Sequence, residues 1–141
     1  MATTPRVLFV CLHGSAKSLI ALEHFRRLAQ QRGVDVQADW AGIEPDAEIP
    51  PRVVQGLLDE GIDVRGRRPR QVTRADLEGA SHVVTFGCDL GALASPGLTR
   101  ERWDDVPAVS EGYKPARDII VGRLPGLLDE LDRPASPRIP P

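Results

Sequence analysis

In the segment Arg6-Val7-Leu8-Phe9-Val10-Cys11 the five residues after Arg6 form a continuous apolar run. A strand facing water on one side alternates polar and apolar positions, so an unbroken run of this length predicts a strand covered on both faces. Such strands belong to parallel sheets sandwiched between helices, and the rest of the chain alternates to match. A small-residue stretch, Leu12 to Ser18, leads into a helix from about Ser18 to Gln31, with Ala21, Leu22, Phe25, Leu28 and Ala29 on one face. Ser18 is a suitable N-cap and Gly33 a suitable C-terminal stop. Val34 to Trp40 alternates and predicts a second strand nearer the sheet edge.

Pro51 opens a second helix carrying Val53, Val54, Leu57 and Leu58, closing near Gly61, and Thr73 caps a short helix to about Glu78. Ser81 to Phe86 reads as another buried strand, and Leu98 to Trp103 as a weaker fourth. Lys114 to Leu131 has helical apolar spacing, but Gly122, Pro125 and Gly126 predict a kink or two short helices. The expectation is a single α/β domain over residues 1–132 with a mostly parallel four-stranded sheet. Residues 133–141, with four prolines in nine positions, are expected to form an extended or disordered tail.

Charge narrows the function classes. The 18 Lys and Arg against 20 Asp and Glu leave a net charge of −2, and only six aromatic residues are present. Neither a basic face nor a stacking platform for nucleic acid is expected. No run of about 18 apolar residues or signal-peptide pattern occurs, so a soluble, cytoplasmic protein with no membrane partner is expected. Two cysteines are too few for a disulfide framework. His13, His24 and His82 lack metal-ligand spacing, and no glycine pattern for a dinucleotide or nucleoside triphosphate follows a strand, so no metal or cofactor is expected. Arg65, Arg67, Arg68 and Arg70 read as a solvated face, or as partners for acidic loops or an incoming anion. Tyr113, the only tyrosine, reads as a surface residue.

In open parallel sheets ligands bind at the carboxyl ends of the strands. Cys11 ends the first strand there, and the loop after it enters a helix N-terminus with free backbone N–H groups and positive dipole. Such groups cradle a tetrahedral oxyanion and lower a thiol from about 8.5 into a range of roughly 3.5–7.5. One loop thereby offers nucleophile and anion cradle together. Gly14 permits angles that a side chain forbids, Ser18 can donate to the sulfur, and Lys17 brings a cation.

The sequence Val7-Leu8-Phe9-Val10-Cys11-Leu12-His13-Gly14-Ser15-Ala16-Lys17-Ser18 resembles the low-molecular-weight protein tyrosine phosphatases and the related thioredoxin-coupled arsenate reductases, whose signature is an apolar strand, Cys, five residues, Arg and Ser. Trp40-Ala41-Gly42, Gly61-Ile62-Asp63-Val64, Arg68-Pro69 and Trp103-Asp104-Asp105 extend the likeness over about Arg6 to Leu131. The resemblance implies a three-layer flavodoxin-like fold with strand order 2-1-3-4. It implies a phosphomonoester hydrolase of phosphotyrosine type in which Cys11 forms a phosphocysteine. The amides of Leu12, His13, Gly14, Ser15, Ala16, Lys17 and Ser18 would bind the anion, and a phosphate, sulfate or arsenate-type oxyanion or a phosphoprotein would be the partner. Lys17 stands in the place of the signature arginine, and Gly14 and His13 also depart from the usual pattern. An ammonium lacks the planar fork of a guanidinium, so turnover slowed about 100- to 1000-fold is expected. The family's acid belongs to an Asp-Pro pair after strand four; here the segment is Trp103-Asp104-Asp105-Val106-Pro107, with Asp105 the candidate and Asp104 the alternative. A reductase would use Cys88 as redox partner of Cys11, and a third possibility is an oxyanion-binding module without turnover.

Overall fold

The computed structural model describes residues 4–14, 16–93 and 100–132. The chain runs β1 (Arg6–Cys11), α1 (Lys17–Arg32), β2 (Gln37–Gly42), α2 (Pro51–Asp59), α3 (Arg74–Glu78), β3 (His82–Phe86), β4 (Arg100–Arg102) and α4 (Tyr113–Leu131), with 3-10 turns at Gly91–Leu93 and Val109–Glu111. The four strands form one sheet in the order β2-β1-β3-β4, every pair parallel. That is the expected three-layer, flavodoxin-like α/β arrangement.

The continuous apolar character of β1 follows from its central place. Val7, Phe9 and Cys11 face one core with Leu19, Leu22 and Phe25 of α1 and Ile120, Leu124 and Leu128 of α4. Leu8 and Val10 face a second core with Ala41, Val72, Leu77, Val83, Cys88 and Leu90. In register, Cys11 pairs with Gly42 on one side and Phe86 on the other, so the carboxyl ends of three strands meet at the cysteine.

Several boundaries differ from the sequence reading, each for a local reason. Helix α1 starts at Lys17 after Ala16, with no side-chain cap; Ser18 lies inside it and its hydroxyl turns to Cys11 instead. Gly33 does close it in the left-handed conformation, with φ of 67°. Strand β2 lies further along than expected, at Gln37–Gly42, because its pairing with β1 sets its span. Thr73 and Asp76 complete a reciprocal capping box on α3. Helix α4 is one helix through Pro125, not two. A proline inside a helix costs about 3 kcal/mol. Burial of Ala116, Ile120, Leu124, Leu127 and Leu128 in the α1 core outweighs it, since each large side chain contributes about 1.5–3 kcal/mol. The expected tail at 133–141 lies outside the described residues.

Tyr113 is half-buried and packed, not a free surface side chain. Its ring covers Gly56, and its hydroxyl donates to Glu60 Oε1 at 2.7 Å. Glu60 also meets His24 Nε2 at 3.2 Å and Arg117 Nε at 2.6 Å, so one carboxylate ties α1 and α4 to the end of α2. The arginine segment is largely paired with acids. Arg65 meets Asp63, Arg70 bridges Asp39 and Asp76, and Arg67 pairs with Glu23 while lying 4.6 Å over the Trp40 ring. Among the described residues, no helix is long and apolar enough to cross a membrane.

Candidate active site

The loop after β1 is shaped by where its carbonyls go. Cys11 O accepts from Ile43 N at 3.2 Å, Leu12 O from Glu44 N at 2.7 Å and His13 O from Asp46 N at 3.0 Å. Gly14 O accepts from the Trp40 indole Nε1 at 2.7 Å. Four successive carbonyls are thus drawn toward the β2–α2 side, and on the other side Gly14 N–H points at Cys11 Sγ, 3.2 Å away. Gly14 has φ of 63°, and a Cβ there would come within 2.8 Å of Gly42 N. Gly42 is equally confined, since a Cβ on it would meet Gly14 N at 2.7 Å and His13 C at 2.8 Å. Two glycines back to back let the loop lie on the end of β2.

Cys11 is buried, yet polar groups face its sulfur: the Gly14 amide and the Ser18 hydroxyl, the latter at 3.0 Å. Both can donate to a thiolate, which Ser18, itself fully buried at the start of α1, is fixed to do. A cavity of about 610 Å³ opens beside the sulfur. Cys11, Leu12, His13, Ala16 and Lys17 form its floor and one side; Pro50, Pro51 and Val53 of α2, Phe86 and Val109 supply apolar walls, Pro50 lying just ahead of the helix, and Asp46 and Arg52 supply charge. Ser15, also expected in the cradle, lies outside the described residues.

Lys17 reaches this cavity, but its ammonium donates to Val106 O at 2.8 Å. An ammonium has three donors, and among the described residues Val106 O takes one of them. Asp105 is not brought to the cavity. Its carboxylate is gripped by both terminal nitrogens of Arg123, at 2.9 and 2.6 Å, and that guanidinium holds its pKa below the usual carboxylate range. In this arrangement the Asp105 carboxylate faces Arg123 and does not line the cavity. Asp104 is engaged too, accepting from Gly87 N at 2.9 Å and pairing with Arg102 at 2.9 Å. Cys88 lies in the core on the other face of the sheet, its Sγ 3.6 Å from Val10 O, and burial pushes its thiol up.

Asp46 and the Ala108–Ser110 turn lie in the two loops, Trp40 to Ala47 and Asp104 to Tyr113, that the family resemblance implies as the substrate-selecting wall, whereas Arg52 and Phe86 escaped the sequence reading. Arg52 ties α2 to the second of those loops by donating to Ser110 O at 2.9 Å. A proline-opened helix start gave no sign that it would face Cys11. At the opposite end of the sheet, His82, Glu101 and Glu130 bring ligand atoms within 4.8 Å of one another, with Glu101 also held by Trp103 Nε1 at 2.6 Å.

Residues 6–95 match the family model described as low molecular weight phosphotyrosine protein phosphatase. A protein of Halobacterium salinarum named putative arsenate reductase is 27% identical over 135 residues, covering 92% of this chain and 95% of that one. The low molecular weight protein-tyrosine-phosphatase YfkJ of Bacillus subtilis is 34% identical over 98 residues, 63% of this chain and 61% of that protein. Among solved structures, a low molecular weight protein tyrosine phosphatase from T. tengcongensis superposes with a TM-score of 0.81 over 90% of this chain and 99% of that chain, at 23% identity. A likeness at that identity speaks for the fold.

Proposed function

The chain belongs to the low molecular weight phosphotyrosine protein phosphatase family, and on that premise we propose that it hydrolyses phosphomonoesters through a phosphocysteine. The observation that carries the reading is the sulfur of Cys11 lying between the Gly14 amide and the Ser18 hydroxyl, with the carbonyls of residues 11–14 engaged elsewhere. Thiolate attack on phosphorus forms the S–P bond as the P–O bond to the leaving group breaks, and a proton passes to the departing oxygen. Water then attacks the phosphocysteine, giving up a proton, and the S–P bond breaks to release phosphate and restore the thiolate. The amides of the Leu12–Ser18 loop would hold the equatorial oxygens, with Lys17 balancing their charge. The apolar walls at Pro50, Val53, Phe86 and Val109 suit an aryl group, so an aryl phosphate such as a phosphotyrosine side chain is the favoured substrate class. A reducing, cytoplasmic setting suits both free thiols.

The test is Cys11→Ser against an aryl phosphate. Turnover should vanish while the variant still binds inorganic phosphate; unchanged turnover refutes the mechanism. Lys17→Arg should raise kcat about 100-fold or more, by restoring the fork that binds two oxygens. Phosphate binding with no hydrolysis in either the wild type or Lys17→Arg would favour a non-catalytic oxyanion module. Similarity over 92% of the chain to a protein named putative arsenate reductase supports a second reading, in which Cys88 takes the oxidising equivalent from Cys11. Arsenate-dependent thiol oxidation that is lost in Cys88→Ser would favour it.

A further inference from the structure

The phosphomonoester reading leaves a proton donor to be found, because Asp104 and Asp105 are held by Arg102 and Arg123 and neither lines the cavity. Two other titratable groups that could carry that proton do line it together with Cys11: His13 and Asp46. They come from different loops and are fixed to each other. Asp46 N donates to His13 O at 3.0 Å, which places the aspartate side chain beside the imidazole. His13 Nδ1 lies 3.6 Å from Asp46 Oδ1 and 3.2 Å from Glu44 O. Two acceptors on one side of the ring make Nδ1 the protonated nitrogen and leave Nε2 as the one that exchanges protons. His13 is about half exposed, so it can be reached by solvent and substrate.

Resting on the phosphohydrolase reading, we infer that His13 is the proton-transfer residue of this site and that Asp46 positions it. In the first step imidazolium Nε2–H gives its proton to the oxygen leaving phosphorus, as the S–P bond to Cys11 forms and the P–O bond breaks. In the second step neutral Nε2 takes a proton from the attacking water, the new O–P bond forms, the S–P bond breaks and the imidazolium is regenerated. No other reactant is needed. The cations on the same cavity do not compete for the role: Lys17 donates to Val106 O, and Arg52 donates to Ser110 O. The backbone hydrogen bonds of the loop do not require histidine at position 13.

The experiment compares kcat/KM for phenyl phosphate, whose leaving group needs a proton, with that for 2,4-dinitrophenyl phosphate, whose leaving group does not. In His13→Asn the phenyl ester should lose about 100-fold or more and the dinitrophenyl ester less than about threefold. Asp46→Asn should show the same selectivity with a smaller loss, and a shifted pH profile. Phosphate inhibition constants close to wild type would separate this from collapse of the loop, and His13→Gln repeats the measurement with a different shape. Equal losses on both esters in both His13 variants overturn the inference, as does a selective loss that appears in Asp105→Asn but not in His13→Asn. Failure of the underlying reading looks different: wild-type protein with no Cys11-dependent turnover of either ester, which removes this inference with it.

Discussion

The contact between Gly14 and Gly42 offers a measurement that separates two physical terms. In Gly42→Ala the new methyl would lie 2.7 Å from Gly14 N, 2.8 Å from His13 C and 2.9 Å from Gly14 Cα, all backbone. Relief by a small shift is blocked on both sides. Gly42 N donates to Arg70 O and Gly42 O accepts from Val72 N, each at 2.9 Å, while Gly14 O is held by Trp40. Forcing a methyl into such a place costs about 1–3 kcal/mol. Gly14→Ala meets nearly the same obstruction, at 2.8, 2.9 and 3.2 Å, and adds the penalty of a side chain at φ of 63°, about 1–2 kcal/mol. The expected losses are therefore about 2 kcal/mol for Gly42→Ala and about 3–4 kcal/mol for Gly14→Ala. In urea, with a slope of about 2 kcal/mol per molar, the midpoints should fall by about 1 M and about 1.5–2 M. Either loop shift also draws the Gly14 amide from Cys11, so inorganic phosphate should protect the thiol less well against iodoacetamide. If both variants unfold within about 0.5 kcal/mol of wild type, the two backbones are not in the described contact. If Gly42→Ala loses more than Gly14→Ala, the left-handed conformation of Gly14 is not what separates them.

Ser18→Ala removes a buried donor 3.0 Å from Cys11 Sγ; hydrogen bonds to charged groups contribute about 1.5–3 kcal/mol, so thiolate formation at neutral pH should fall about tenfold or more, read as slower alkylation of Cys11. Leu12, Ala16 and the rest of the backbone cradle stay in place, so unchanged alkylation would show that the hydroxyl does not stabilise the sulfur. Acid should loosen the Glu60 cluster. Burial holds His24 below its usual 6.5, so as pH drops through that value the unfolded chain takes up a proton that the fold refuses, and stability declines. Burial would raise Glu60, but hydrogen bonds from Tyr113 and Arg117 outweigh it and leave the carboxyl below 4.5, adding a further loss as pH falls below that value. His24→Gln should flatten the first decline in a urea titration at pH 7 and pH 5.5, and an undiminished decline would refute the assignment. Glu60→Gln, which strips the charge that Arg117 and Tyr113 share, should cost about 1.5–3 kcal/mol at pH 7 by denaturant unfolding; a smaller loss would mean that the cluster is held by packing.

The apolar run through Cys11 determined a buried central strand, because no other element accommodates four hydrophobic residues in a row with both sheet faces to cover. Gly33 and the Thr73–Asp76 box stopped and started helices by purely local hydrogen bonding, and those were legible for the same reason. The loop after β1 was legible as the place where cysteine, glycine and helix start come together, since the three are contiguous in the chain. Pro125 does not split α4 into two helices, because its cost is local and the burial that outweighs it comes from packing on α1, a distant segment. The surroundings of Asp105 were hidden for the same reason: its neighbour in space is Arg123, eighteen residues on. Asp46, Arg52 and Phe86 reach the cavity from three separate segments, and their convergence on Cys11 is a property of strand order and loop packing. Chemistry carried by neighbours along the chain was written in the sequence; which distant charges meet, and therefore which group can hold a proton over the sulfur, was decided only when the chain folded.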